Sequence, residues 1–181
     1  LLYSNIVIRT FIWMKKVLVI SDTHSYIDDR IIKYASEADY VIHAGDIGSF
    51  DVIRKLKSVS KVLFVYGNID GNEIRSESNK FEFFELNNLK ILLTHISGKT
   101  PKYNKETLIK IKEHNPDLLI AGHSHILKIQ YDKINKLIFL NPGAAGRHGF
   151  HLKRTMLRFE IKLNKIENLE IIELGSRSDL S

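Results

Sequence analysis

Five short apolar runs of this chain each break off into a polar group, and that repeated ending limits the folds open to it. Val17–Ile20 runs into Ser21-Asp22-Thr23-His24, Tyr40–His43 into Ala44-Gly45-Asp46, and Val62–Tyr66 into Gly67-Asn68-Ile69-Asp70. Further on, Leu89–Thr94 ends at His95, and Leu118–Ala121 at Gly122-His123-Ser124-His125. Such short aliphatic runs read as buried strands. Between the first three lie helical patterns: Ile27 to Ala38 carries an apolar stripe, and Val52–Leu56 follows a start near Ser49. Strand, helix, strand, helix, strand implies right-handed crossovers and a parallel sheet.

The pattern then changes. Phe81–Leu86 and Leu89–Thr94 flank Asn87-Asn88, a hairpin signal. Lys105–His114 reads as a helix stopped by Asn115-Pro116. Two more hairpins are expected, Ile126–Tyr131 with Leu137–Leu140, and Thr155–Leu163 with Leu169–Leu174, the last turning near Asn164–Asn168. Crossovers mixed with hairpins predict an α/β fold of two mixed sheets packed face to face, with helices outside.

In open α/β sheets, ligands gather beyond the carboxyl ends of the strands. The strand endings would therefore bring four histidines, two aspartates and an asparagine to one rim. There is no cysteine, which excludes thiol catalysis, zinc ribbons and iron–sulfur clusters within the chain. Imidazole with carboxylate is a donor mixture for first-row transition metals. Seven donors exceed the needs of one ion and suit two ions sharing a bridging carboxylate. Two divalent ions against two carboxylates leave an excess of positive charge that favours a hydroxide and a phosphate over a neutral substrate. Of the other histidines, His43 lies inside a strand and reads as packed, and His114 as a helix end. His148 and His151 receive no role.

Composition sets the remaining bounds. The 181 residues make one ordinary domain, and 44% apolar against 27% charged residues is a globular balance. The net charge of +6 suits anionic ligands, but the lysines are interleaved with acids, so nucleic acid is left open and not favoured. Residues 1–13 read as an upstream extension, with Met14 a natural start; 14–175 form the single domain, and 176–181 a polar, frayed tail. No run reaches membrane length, and the expected location is the cytoplasm.

The order Asp22-x-His24, Gly45-Asp46, Gly67-Asn68, His95, Gly122-His123-x-His125 resembles the calcineurin-like metallophosphoesterases. The small size, the Gly-Asn-x-Asp form at 67–70 and Asn141-Pro142-Gly143 are similar to the YfcE-like phosphodiesterase branch. The resemblance implies a four-layer α/β/β/α sandwich with a two-metal site. It implies one ion on Asp22, His24, Asp46 and His125 and a second on Asp46, Asn68, His95 and His123, with Asp46 bridging. It also implies a hydroxide between the ions attacking phosphorus in line, with Asp46, Asn68 and His95 closest to the chemistry. The expected ions are manganese first, with nickel, iron, cobalt or zinc as alternatives. The expected partner is a phosphodiester, a small molecule or a nucleotide, and a homo-oligomer is compatible.

Two positions depart from the relatives. Many that hydrolyse phosphomonoesters have a histidine after the Gly-Asn pair, where it can protonate the leaving group. This chain has Ile69 there, as the Gly-Asn-x-Asp branch commonly lacks that histidine. Ile96 stands where relatives often carry glycine after the histidine, which implies a differently shaped loop. Asp70 reads either as a partner to His24 or His123 or as a turn cap, and Arg147 either as a phosphate contact or as a surface arginine. The same fold also serves the eukaryotic retromer as a protein-interaction scaffold. A scaffold is thus the alternative to an enzyme, beside a nuclease or cyclic-nucleotide hydrolase.

Overall fold

The computed structural model describes residues 14–178, so the expectations for 1–13 and for 179–181 lie outside the described residues. Strands β1 (Lys15–Ile20), β2 (Tyr40–His43) and β3 (Lys61–Phe64) pair in parallel, with helices α1 (Asp29–Ser36) and α2 (Phe50–Lys57) as crossovers. The long hairpin of β11 (Lys153–Lys162) and β12 (Lys165–Ser176) adds antiparallel to the free side of β1, giving the order β12-β11-β1-β2-β3. The second sheet uses β4 (Phe81–Leu86), β5 (Leu89–Thr94), β8 (Leu118–Ile120), β9 (Leu127–Asp132) and β10 (Leu137–Pro142) in the order β4-β5-β8-β10-β9. Helix α4 (Lys105–His114) is the crossover from β5 to its parallel neighbour β8.

Side-chain alternation explains the layers. Val17 and Val19 of β1 face the second sheet and meet Ile91, Leu93 and Ile120 there, while Leu18 and Ile20 face Ile31, Ala35, Ile53 and Leu56 of α1 and α2. Leu92 and Leu119 point the other way, toward Ile111 of α4. A strand buried on both faces has no polar side, so β1 reads as one continuous apolar run. Two mixed sheets between outer helices make the expected α/β/β/α sandwich.

Several ends differ from expectation, for local reasons. Helix α1 starts at Asp29, because Asp28 stays extended and caps it by accepting the Ile31 N–H. The β11–β12 turn falls at Leu163-Asn164, and Asn168 instead sits at φ 52° beside a register shift in that hairpin. Its turn-like chemistry belongs to a bulge. The short helix α3 (Asn72–Ser76) and the ribbon of β6 (Gly98–Lys99) with β7 (Lys102–Tyr103) are too brief to leave a periodic signal. By contrast, Asn87 and Asn88 both take positive φ, as a tight hairpin turn requires. Among the described residues no helix is long and apolar enough to cross a membrane.

One ion pair ties α1 to the sheet beneath it. Arg154, 3% exposed, donates Nη2–H to Asp28 at 2.8 Å and Nε–H to the Ala145 carbonyl at 2.8 Å. Burial raises the Asp28 pKa, but the Ile31 N–H and the Arg154 guanidinium outweigh it and hold the carboxyl below its usual 3.8. Its contribution is therefore present above pH 3.8 and is lost as the pH falls through the lowered folded-state value. Asp28→Ala strands the buried guanidinium and removes the cap, so it should cost about 3 kcal/mol in urea unfolding at neutral pH. Asp28→Asn, which keeps the cap, should cost less.

Candidate metal centre

The loops that follow the strands are stitched to one another by their backbones. Asp22, His24 and Ser25 donate N–H to the carbonyls of Gly45, Asp46 and Ile47, so the turn after β1 lies along the turn after β2. Gly122 donates to the His95 carbonyl, joining the β8 and β5 ends. His123 N–H reaches Asp22 Oδ2 at 3.1 Å, which ties the two sheets together at the rim. Asn141 at the end of β10 donates to the Gly122 carbonyl and to Ser124 Oγ.

All seven expected residues come together here, in two groups: Asp22, His24 and His125, and Asp46, His95 and His123. Asn68 joins the second, its Oδ1 3.1 Å from His95 Nε2. Asp46 lies between the groups, with Oδ1 3.2 Å from His95 Nε2 and Oδ2 3.8 Å from His24 Nε2. His125 Nε2 is 3.2 Å from Asp22 Oδ1. Five of the seven hold left-handed backbone: Asp22, His24, Asp46, His123 and His125 have φ between 47° and 68°. That conformation is uncommon outside glycine, and Asp and His are among the side chains that tolerate it. Its concentration at one rim, at a cost of about 1 kcal/mol per residue, marks a functional site.

The donor set wants cations. Asp22 Oδ1 and His24 Nε2 are buried and accept or donate no hydrogen bond, an arrangement that costs free energy unless a positive ion satisfies it. At His95, burial opposes a charge, but the hydrogen bond to Asp46 and the fields of Asp22 and Asp46 prevail and hold its pKa above the ordinary value. His95 Nδ1–H donates to the Ala44 carbonyl at 2.7 Å, which aims Nε2 at the carboxylates. Burial raises the Asp46 pKa, but the hydrogen bond and charge of His95, with the Ile69 N–H and the His24 charge behind them, outweigh it and leave the carboxyl lowered.

Asp70 spends its carboxylate on three backbone N–H groups, of Ile47, Gly48 and Gly67, and so ties the second and third strand endings as a turn cap. His43 is buried, donates to Thr23 Oγ1 at 2.9 Å, and burial pushes it down to about 4, so it is a neutral packed side chain. His114 stacks on Phe83 at 4.4 Å. Arg147 stacks over Tyr26 at 4.4 Å, with Arg154 at 4.6 Å from the same ring. Sequence reasoning missed the loop before β11: the His148 ring lies 4.9 Å from His24, and His151 Nδ1 is 3.3 Å from His125 Nδ1. No spacing signal points to either, because that loop reaches the site only through the tertiary fold.

Beside His123 opens a cavity of about 500 Å³, lined by Ile96, Ile126 and Phe139 with Lys99 and Lys128. A smaller one of about 220 Å³ lies along Asn68 and His95.

The Calcineurin-like phosphoesterase superfamily domain matches residues 14–164. A probable metallophosphoesterase of Methanocaldococcus jannaschii is 31% identical over 158 residues, covering 84% of this chain and 77% of the other. One of Mycoplasma pneumoniae is 34% identical over 139 residues, covering 72% and 79%. Among solved structures, a predicted phosphoesterase of Streptococcus pneumoniae aligns with TM-score 0.63 at 22% identity, over 89% of this chain and 98% of that one. Vps29 of Entamoeba histolytica, complexed with zinc, aligns with TM-score 0.68 at 21% identity, over 90% and 99%. At that identity the likeness speaks for the fold alone.

Proposed function

The chain belongs to the calcineurin-like phosphoesterase superfamily, and from that premise we propose that it is a metal-dependent phosphodiesterase acting at the rim site. The observation that carries the reading is the pair of donor groups with Asp46 between them and two buried atoms, Asp22 Oδ1 and His24 Nε2, that make no hydrogen bond. Asp22, His24, Asp46 and His125 would hold one divalent ion, and Asp46, Asn68, His95 and His123 the other. When bound, such ions lower the pKa of water to make a nucleophile and neutralise charge on the phosphoryl oxygens. Imidazoles with carboxylates suit manganese, iron, cobalt, nickel or zinc, and manganese is the first ion to test.

The residues around the donors favour a diester. Ile69 is 48% exposed and its N–H donates to Asp46 Oδ1, so the position from which relatives protonate a leaving group presents an alkyl side chain. A monoester with a basic leaving oxygen suffers most from that loss, since a general acid contributes typically about 10²–10⁴-fold. The cavity at His123 offers room for the second ester arm against Ile96, Ile126 and Phe139, while Lys99 and Lys128 draw an anion toward it. Asn68, at the edge of the second group, adds an amide without adding charge. The assembly of seven metal-capable side chains around two buried atoms that make no hydrogen bond supports the enzyme over an interaction scaffold of the same fold.

The test is a pair of substrates under one metal condition. With manganese, bis-p-nitrophenyl phosphate should be hydrolysed faster than p-nitrophenyl phosphate. The reverse ranking would leave a phosphoesterase but remove the diester preference.

A further inference from the structure

His151 stands outside the seven donors, yet it touches one of them. Its Nδ1 lies 3.3 Å from Nδ1 of His125, with the rings near perpendicular at 74°. Its Nε2 lies 3.1 Å from the Gly146 carbonyl oxygen. A carbonyl only accepts, so Nε2 of His151 carries the hydrogen, and in a neutral imidazole Nδ1 is then a lone pair. That lone pair faces His125 Nδ1, which must donate. The lone pair of His125 is thereby left on Nε2, the atom 3.2 Å from Asp22 Oδ1.

We propose that His151 is a positioning residue that fixes the tautomer and ring direction of His125, so that His125 Nε2 is offered with Asp22 and His24 to a divalent ion. The inference rests on the metal reading above. It extends a device visible elsewhere in the site, since the Ala44 carbonyl does the same for His95 through a 2.7 Å bond to its Nδ1. Metal-bound imidazoles generally need a partner on the second nitrogen. At His125 that partner comes from a side chain of the 147–152 loop. Gly149 supports the reading. It has φ +123°, and a Cβ there would overlap His125 Nδ1 and crowd His151 Nδ1 at 3.2 Å. The bare backbone is what lets the two rings meet.

Two measurements test this. Long-range proton–nitrogen spectra of the zinc-loaded wild-type protein should show His125 protonated on Nδ1 and His151 on Nε2; His151 protonated on Nδ1 would overturn the inference without any variant. Manganese titration followed by electron paramagnetic resonance should then show one of two sites weakened about 10–100-fold in His151→Leu, with the other retained. His151→Asn, which keeps an oxygen acceptor at the δ position, should recover most of the affinity. Two ions bound equally well by wild type and His151→Leu would defeat this inference alone. A wild-type protein that binds no divalent ion would instead defeat the metal reading beneath it.

Discussion

Asp46→Asn should lower kcat/KM for bis-p-nitrophenyl phosphate by at least about 10³-fold and reduce bound manganese from two ions toward one. The residue is 3% exposed, and its two oxygens face different groups, Oδ1 toward His95 and Oδ2 toward His24. The amide keeps the size and the hydrogen bond from Ile69 N–H, so the fold should survive. What it removes is half of the fixed negative charge, since Asp22 alone would then face two dications. One arm of the amide would also turn N–H toward a cation. Each effect alone weakens binding; on the proposed assignment, with Asp46 between the two groups, together they would act on both ions. Metal content by mass spectrometry and rate by p-nitrophenolate release are the two readouts. Full activity in the variant, or wild-type activity that survives a chelator, would remove Asp46 and the ions from the chemistry.

How far the sequence foretold this site depends on the kind of residue. That seven metal-capable side chains share one rim was legible because they follow five strand ends, and parallel neighbours such as β1, β2 and β3, or β5 and β8, carry their ends to one side. Strand β1 was legible because burial on both faces makes it uniformly apolar. The left-handed backbone at Asp22, His24, Asp46, His123 and His125 left no mark beyond residue type, since Asp and His serve in that conformation as they serve in a metal site. Asp70 admitted two readings because a carboxylate near a turn can meet a ring or a backbone, and only the packed loops decide that it takes three N–H groups. His151 was not legible at all. It lies 26 residues from His125, in a loop without periodicity, and its value depends on a contact with the Gly146 carbonyl.

A glycine precedes Asp46, Asn68 and His123 in the chain, and Gly67 gives the sharpest test. Its backbone is not in the left-handed region, so conformational freedom is not the reason for glycine there. The reason is contact: a Cβ at this position would overlap both Oδ1 and the backbone nitrogen of Asp46. The carboxylate could swing aside only by leaving His95, and the nitrogen could move only by shifting the turn after β2. Gly67 also donates its N–H to Asp70 at 2.7 Å, and Arg75 donates to its carbonyl at 3.0 Å, so its own loop is held from both sides. Gly67→Ala should therefore cost about 3 kcal/mol in urea unfolding and displace Asp46 enough to abolish detectable hydrolysis. Gly71 is the matched control. It lies on the same connection and caps α3, and a Cβ there meets nothing within 4 Å. Gly71→Ala should stay within about 0.5 kcal/mol of wild type and retain activity. If the two substitutions behaved alike, close packing of Gly67 against Asp46 would not be what builds the site.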